Sequence, residues 1–542
     1  MRPTSALTTT RSVRTKTVSQ TEVQPLSLGR WTARLFPFAM AIFSGGLLFL
    51  SFPTWNFYLL AWAALVPLLF AIQNQSATRR FFLGWIAGVV YFTGALSWVT
   101  ISMTRYGKIP LPISYILMLL LVAYLATYVG LFAGLIQYAS QKGFWIFLFA
   151  PSLWTSLEFL RGRLFTGFPW AGLGYSQYRP LPVIQIADFA GVYGVSFVIV
   201  FINIALFRII QAGRKSRRIA WKEALLAFSL LTLTLLYGFL RLSQPMGEER
   251  AVSVTVVQGN IDQDQKWDQQ FRDATLRIYK RLSLQAAQHA ASRPELVIWP
   301  ESAVPFFFQD EPLYQMDLLD FARDGRFYLL FGSPSFEPAG GGQVALLNSA
   351  YLLSPGGGAP SRYDKMHLVP FGEYVPLSSL LFFVNKLVEG IGDFIPGREA
   401  AVMETASTKI GTVICFEVIF PEVVRRFVQN GATLMTTLTN DAWFGDSAAP
   451  YQHFSMVVFR SIENRVPFAR AANTGISGFI DAYGRVTKSA PLFVEAALSE
   501  QLHPANRRTL YTRYGDFFAV GCAIITAGFI FYFFTKRRFY AH

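Results

Sequence analysis

The chain has 542 residues, of which 52% are hydrophobic and only 15% charged, and its mean hydropathy is +0.35. This composition excludes an ordinary soluble protein, because charge-free apolar runs recur along the chain. The net charge of +15 does not indicate a nucleic-acid surface, since the basic residues cluster at the ends of the apolar runs.

Residues 1–33 form a basic tail, and apolar runs long enough to cross a bilayer as helices follow it. The first run continues into a second, which predicts an uncleaved span rather than a signal peptide. Seven spans are expected in a membrane domain of residues 34–242, and one more in a C-terminal segment of residues 513–542. The eight predicted spans cover residues 34–51, 56–73, 82–102, 112–138, 144–160, 190–211, 222–241 and 516–535.

The basic clusters predict the orientation of these spans. They occur in the tail, at residues 79–80, at 142, at 213–218 and at 536–538. With the N-terminus inside, eight spans place every one of these clusters in the cytoplasm, as the positive-inside rule requires. The same topology places the segment between the seventh and eighth spans outside.

That segment, residues 243–512, is polar enough and long enough to be one soluble domain. Short β-rich runs alternate in it with helical patterns, which predicts a layered α/β fold with its functional residues at strand ends. Glycine runs at 340–342 and 355–358 predict turns. Strands are expected at 252–260, 295–302, 327–334, 349–355, 409–417 and 432–441, and helices at 268–291, 421–430 and 450–465.

Three residues near the predicted strand ends are candidates for chemistry. Glu301 lies in WPES, Lys365 in YDKMHLVPFGEYVP, and Cys415 in GTVICFEVIF. Each has a plain structural explanation when taken alone, as a turn glutamate, a solvated lysine or a small buried thiol. The second cysteine, Cys522, lies in the last predicted span, so no disulfide is expected.

Taken together and in this order, the three residues resemble the Glu–Lys–Cys triad of the nitrilase superfamily. The resemblance extends to NDAWFG at 440–445 and to the run at 460–481. Combined with the spans, it makes the chain similar to the apolipoprotein N-acyltransferase family, the membrane-bound branch of that superfamily. The implied fold is a multi-span α-helical membrane bundle joined to an α/β nitrilase-like αββα sandwich domain.

The resemblance implies a role for each member of the triad. Cys415 is the nucleophile, and because a free thiol has a pKa near 8.5 it needs activation. Glu301 is the general base, and the Lys365 ammonium stabilises the oxyanion. Glu373 matches the second glutamate of the family and either positions Lys365 or assists proton transfer. Backbone N–H groups after Cys415 are expected to add to the oxyanion hole.

Four further residues are candidates for lining the substrate site. Trp267 and Trp443 are aromatic residues that line an acyl or headgroup entry or belong to the core. Phe416 and Glu417 follow the nucleophile directly, and Glu417 either lines the site or has a structural role.

The implied reaction transfers a fatty acyl chain from a phospholipid, phosphatidylethanolamine, to a diacylated apolipoprotein. The acyl chain is held as a thioester on Cys415 and then transferred to the N-terminal α-amino group of the diacylglyceryl-cysteine. This two-step transfer gives ping-pong kinetics. The expected location is the bacterial inner membrane, with the catalytic domain in the periplasm. No cofactor, metal or nucleic acid is expected, and the protein is expected to be a monomer. The five His residues are scattered without metal-ligand spacing.

Two other functions remain open from the residues themselves. A membrane-anchored amidase acting on a soluble amide would use the same triad. A transporter with an inert appended domain is disfavoured, because the spans contain few ionisable residues beyond Glu158 and Asp188. Two apolar segments, 304–309 and 377–385, either dip into the membrane interface or belong to the core.

Overall fold

The computed structural model describes residues 28–140, 143–216, 220–245, 250–340, 342–374, 394–505 and 508–539. The first 27 residues of the predicted basic tail and the apolar segment 377–385 lie outside these ranges. The helices associated with the predicted membrane region are Leu28–Leu50, Val66–Ala71, Ala77–Leu96, Val99–Ile101, Leu111–Leu135, Gln137–Ser140, Ile146–Arg161, Leu181–Ile184, Ala187–Ser216, Trp221–Leu242 and Phe517–Phe539.

Among the described residues, four helices are long and apolar enough to cross a membrane. They are Leu111–Leu135, Gly143–Arg161, Ala187–Arg214 and Trp221–Leu242. A fifth span results if Ala77–Leu96 and Val99–Tyr106, which meet at a 55° bend, are taken together. The apolar helices Arg34–Leu50 and Phe517–Phe533 lie at predicted spans but are shorter. The predicted count of eight spans is therefore not confirmed.

The second predicted span is broken into two short pieces. A 3₁₀ helix covers Tyr58–Trp62, and a six-residue α-helix covers Val66–Ala71. Pro67 lies in the first turn of the second piece, where its missing N–H costs nothing but where it cannot continue an earlier helix. Hydropathy registers one apolar run here, because it does not detect where backbone hydrogen bonds are interrupted.

The segment after the membrane helices forms two six-stranded sheets. The strands are β1 Val252–Gln258, β2 Leu296–Ile298, β3 Tyr328–Gly340, β4 Gln343–Leu353, β5 Ser361–Asp364, β6 Met403–Glu404, β7 Lys409–Ile414, β8 Leu434–Thr439, β9 Phe468–Ala472, β10 Gly478–Ile480, β11 Val486–Ser489 and β12 Ala496–Leu502. Their order is β12-β1-β2-β3-β4-β5 in the first sheet and β11-β10-β9-β8-β7-β6 in the second. Parallel pairs lie at the centre of each sheet, and antiparallel pairs at the edges.

Alternate residues of the first sheet face two different apolar cores. In β2, Leu296 and Ile298 join the core shared with the second sheet, whereas Val297 packs under the outer helices. This period of two places one sheet face against the other sheet and one face against helices, which gives helix, sheet, sheet and helix layers. The helices of this segment are Gln263–Lys266, Arg272–His289, Pro312–Gly325, Pro421–Gln429, Ala449–Asn464 and Leu510–Tyr514.

The apolar segment 304–309 belongs to this domain's interior. Val304, Phe306 and Phe308 are at most 4% exposed and pack in the core beneath the outer helices. Of the two alternatives for this segment, these contacts favour the core, although Phe307, between Phe306 and Phe308, is only partly buried.

The helix Ala449–Asn464 joins the two-sheet domain to the membrane helices. Arg460 donates to the Tyr175 hydroxyl at 2.9 Å, and Glu463 Oε1 accepts the Val192 N–H at 3.0 Å. The helix Ala187–Ser216 is interrupted at Gly191, whose φ is 63°, and this kink frees the Val192 N–H for that bond. These polar contacts between the two parts are buried.

Candidate active site

Three strand ends bring the predicted triad together. Glu301 follows β2, Lys365 comes directly after β5, and Cys415 comes directly after β7. The Lys365 Nζ lies 3.7 Å from the Glu301 Oε1, and the lysine is 1% exposed. Glu301 and Cys415 are also buried. A buried ion pair beside a buried thiol costs desolvation energy, so such a cluster is a strong candidate for a functional site.

Glu373 and Asn348 complete a hydrogen-bonded cluster around Lys365. The Lys365 Nζ donates to Glu373 Oε1 at 2.9 Å. The Asn348 Nδ2 donates to both Glu301 Oε1 and Glu373 Oε1, at 2.9 and 2.8 Å. The second oxygen of Glu301 accepts the Asn440 N–H at 3.0 Å. Both carboxylates are therefore held in place by these hydrogen-bond donors.

The electrostatics of the cluster separate the charge states of its members. Burial opposes a charge on Lys365, but Glu373 and Glu301 outweigh it and raise the pKa of the ammonium. Burial, with Glu301 close by, raises the pKa of the Cys415 thiol, and Lys365 offsets only part of this effect. At neutral pH the lysine is charged and the thiol is protonated. The thiol then needs a base during attack, and Lys365 cannot serve as one.

Cys415 lies in a strained backbone position. Its φ is 50°, in the left-handed region, at the junction between β7 and the 3₁₀ helix Cys415–Ile419. A non-glycine residue in this region costs on the order of 1 kcal/mol, and such strain is common at functional sites. The turn projects the thiol from the end of the strand.

Glu417 braces this turn. It is fully buried, and its oxygens accept hydrogen bonds from Ile414 N, Met366 N, His367 N and the Tyr363 hydroxyl. Burial raises its pKa to about 6. Of its two predicted roles, these contacts favour the structural one, because neither oxygen faces open space.

The aromatic candidates lie at the border of the cluster. Trp267 is 39% exposed, and Phe416 and Trp443 are partly exposed. The ring of Trp443 contacts that of Tyr106, with centroids 4.9 Å apart. From the bent candidate span, the Tyr106 hydroxyl donates to Ala442 O at 2.8 Å and the Ser102 hydroxyl to Trp443 O at 2.7 Å. Residues of this candidate span thus contact the loop after β8 directly.

Sequence reasoning missed two residues of the cluster, Lys266 and Asn348. The Lys266 Nζ donates to the Glu301 carbonyl at 2.9 Å, and the residue is 1% exposed. Burial lowers its pKa to about 8 despite the attraction of Glu301 and Cys415. The only available sequence signals were a lysine directly before Trp267 and a polar residue within the strand β4.

Comparison with known proteins covers both parts of the chain. Residues 44–205 match the family described as apolipoprotein N-acyltransferase N-terminal domain, and residues 253–510 match carbon-nitrogen hydrolase. A solved structure of a mutant Nesterenkonia amidase from the nitrilase superfamily covers 50% of this chain and 96% of its own. Its identity of 18% and TM-score of 0.38 are too low to add to those matches.

Full-length relatives give the strongest similarity. A protein named apolipoprotein N-acyltransferase from Geobacter metallireducens is 48% identical over 487 residues, which cover 90% of this chain and 93% of the relative. A protein of the same name from Pasteurella multocida is 33% identical over 511 residues, with coverages of 92% and 95%.

Proposed function

Because the chain belongs to the apolipoprotein N-acyltransferase family, we propose that Cys415 carries a fatty acyl chain from a phospholipid to an apolipoprotein. Family membership makes the chain a bacterial membrane acyltransferase of the nitrilase superfamily that acts in lipoprotein N-acylation. It also sets aside a transporter with an inert domain. Beyond family membership, we propose the phospholipid donor, the Cys415 thioester and the role of each site residue.

The first half-reaction forms the acyl-enzyme. Cys415 Sγ attacks an ester carbonyl of phosphatidylethanolamine while Glu301 takes the thiol proton. The oxyanion of the tetrahedral intermediate is stabilised by the Lys365 ammonium. The carbon–oxygen bond then breaks, Glu301 returns its proton to the leaving oxygen, and a lysophospholipid departs. A thioester on Cys415 remains.

The second half-reaction transfers the acyl chain from the Cys415 sulfur to the nitrogen of the acceptor amine. The neutral α-amino group of a diacylglyceryl-cysteine attacks the thioester carbonyl, and Glu301 accepts the proton that the amine loses. The carbon–sulfur bond breaks, the sulfur recovers a proton from Glu301, and an amide is released. Because the first product leaves before the second substrate reacts, the kinetics are ping-pong.

One observation carries the assignment of roles, the buried Lys365–Glu301 contact of 3.7 Å beside a thiol whose pKa is raised. A protonated thiol requires a base, and the raised pKa of Lys365 keeps the lysine cationic. We therefore assign the role of base to Glu301, the carboxylate that the resemblance to the triad indicates, and that of oxyanion partner to Lys365. Glu373 positions Lys365 through its 2.9 Å contact.

The proposal includes an arrangement in the membrane that the charge distribution supports. In it the basic clusters lie in the cytoplasm, and the catalytic domain of residues 243–512 faces the periplasm. Both substrates are lipids, so both reach the site laterally from the outer leaflet. The contacts of Ser102 and Tyr106 with the loop after β8 support an entry between the membrane helices and this loop.

The test is intact mass spectrometry of the full-length protein in lipid nanodiscs containing acyl-labelled phosphatidylethanolamine. We expect one labelled acyl chain on Cys415, its release by a diacylated lipopeptide, and no adduct in Cys415→Ser. Glu301→Gln is expected to fold but not to become acylated. Cys522→Ser is the matched control and is expected to acylate normally. The proposal would be refuted if the wild-type protein gained no labelled acyl chain, or if the adduct persisted in Cys415→Ser.

A further inference from the structure

The backbone carbonyl of Cys415 is held by a buried histidine from the helix Ala449–Asn464. The Nε2 of His453 lies 3.2 Å from the Cys415 oxygen, and the imidazole is fully buried. A carbonyl oxygen can only accept a hydrogen bond, so Nε2 carries the proton and donates it. The residue that follows β7 thus has its peptide group anchored from behind.

A buried ion pair fixes the other side of the imidazole. Arg470 Nη2 lies 3.1 Å from His453 Nδ1 and 2.7 Å from Asp441 Oδ2. Asp441 Oδ1 lies 3.1 Å from the same Nδ1 and accepts from the Thr439 hydroxyl at 3.0 Å. Burial and the Arg470 cation lower the pKa of His453, and Asp441 opposes them. The Cys415 carbonyl requires the proton on Nε2 whether Nδ1 accepts from Arg470 or donates to Asp441.

The membrane-associated part of the chain closes the third side. Trp170 stacks on the His453 ring, with centroids 5.7 Å apart and planes 25° apart. The neighbouring Gln452 accepts from Trp170 Nε1 and donates to the carbonyls of Pro53 and Ala95. The imidazole therefore has no room to swing away from Cys415.

Anchoring the Cys415 carbonyl also fixes the next N–H. In a trans peptide the C=O of one residue and the N–H of the next point in opposite directions in one plane. The Phe416 N–H therefore points away from His453. It lies at the start of the 3₁₀ helix Cys415–Ile419, where N–H groups have no partner within the helix.

We infer that His453 is a positioning residue that orients the Phe416 N–H as an oxyanion donor beside Lys365. This inference rests on the proposed acyl-transfer function. The Asp441–Arg470 pair and Trp170 hold the imidazole, the imidazole holds the Cys415 carbonyl, and the carbonyl sets the direction of the N–H. Removing one oxyanion donor typically slows acyl transfer by about 10²–10³-fold. Loosening this donor is expected to cost about 10- to 100-fold.

The test compares two amide substitutions in the full-length protein. In His453→Gln the amide nitrogen occupies the place of Nε2 and still reaches the Cys415 carbonyl, whereas in His453→Asn it occupies the place of Nδ1 and does not. Two rates are measured at Cys415 in a Cys522→Ser background. Acylation by p-nitrophenyl butyrate forms an oxyanion, and alkylation by iodoacetamide forms none.

We expect His453→Asn to lower the acylation rate constant about 10- to 100-fold, with the KM for the ester changed less than about twofold. His453→Gln is expected to stay within about threefold of the parent, and alkylation to be equal in all three proteins. Equal acylation by Asn and Gln variants, or alkylation that falls together with acylation, would overturn the inference. If His453→Asn does not fold, His453→Gln decides. A fall of more than tenfold in its acylation rate constant would also overturn the inference.

The outcome is separable from that of the proposed function. The ester reacts with the thiol whether or not a phospholipid is the natural donor. A parent protein that is acylated by the ester but not by phosphatidylethanolamine contradicts the donor assignment and leaves the role of His453 to the Asn and Gln comparison.

Discussion

Glu373→Gln tests the electrostatics of the site most directly. The Glu373 carboxylate lies 2.9 Å from the Lys365 Nζ, and that of Glu301 lies 3.7 Å away. With an effective dielectric of about 20, these separations correspond to attractions of about 6 and 4.5 kcal/mol. The substitution keeps the shape of the side chain but removes the larger attraction, while the burial that opposes a charged lysine remains.

The loss of the Glu373 charge predicts how the acylation rate depends on pH. In the parent the raised pKa of Lys365 keeps the ammonium charged throughout the assayable range. In Glu373→Gln the pKa of Lys365 falls, so the ammonium loses its proton as the pH rises. Acyl transfer then loses its charged oxyanion partner, and the rate is expected to drop by about 10²–10³-fold at the alkaline end.

The assay is the rate of Cys415 acylation by p-nitrophenyl butyrate between about pH 6 and 10. We expect the variant to show an alkaline limb that the parent lacks, and to stay within about tenfold of the parent at the acidic end. Glu404→Gln is the matched control, because it neutralises the partner of Lys409 in an exposed pair at 2.8 Å. Superimposable pH profiles for Glu373→Gln and the parent would contradict an electrostatic role of Glu373 at Lys365.

Three further predictions concern the surroundings of the site. Glu417→Gln should lower the free energy of unfolding by about 1–3 kcal/mol at pH 7, because an amide cannot accept all the hydrogen bonds of the carboxylate. Burial raises the pKa of Glu417 from 4.5 to about 6, so the parent protein should lose stability as the pH rises through this range. Thermal unfolding of Glu417→Gln should not show this loss. Gln452→Leu leaves the Trp170 Nε1 and two carbonyls unpaired and should cost about 2–4 kcal/mol in thermal unfolding, whereas the exposed Gln270→Leu should be neutral. Cys522→Ser should retain full transfer of a labelled acyl chain to lipopeptide, and a loss of transfer would place Cys522 in the reaction.

Among the described residues of the two-sheet domain, local pattern predicted six of the twelve strands and three of the six α-helices. The predicted helix 268–291 appears as Arg272–His289, and the predicted strand 409–417 ends at Ile414 because Cys415 turns into a left-handed conformation. The strand β12 was not predicted, since its partner β1 lies far away along the chain. Pairing between distant segments leaves no periodic signal in either segment.

The order of Glu301, Lys365 and Cys415 along the chain indicated a triad. The structure places the three side chains close together, as a triad requires. Lys266 and His453 were not identified, because each contacts only the backbone of a triad residue. Backbone contacts of this kind depend on tertiary packing and not on the local sequence. The count of eight spans is not confirmed for a similar reason, since hydropathy does not detect breaks and bends within an apolar run.

The contact of the bent segment Ser102–Tyr106 with the loop after β8 bears on the order in which the enzyme matures. Ser102 and Trp443 are separated by 341 positions, yet the former helps to shape the loop next to Asn440, whose N–H binds Glu301. Because synthesis runs from the N-terminus, the segment Ser102–Tyr106 is made before the loop that packs against it. A two-sheet domain expressed alone would lack this segment, and its Glu301 carboxylate would be held less firmly.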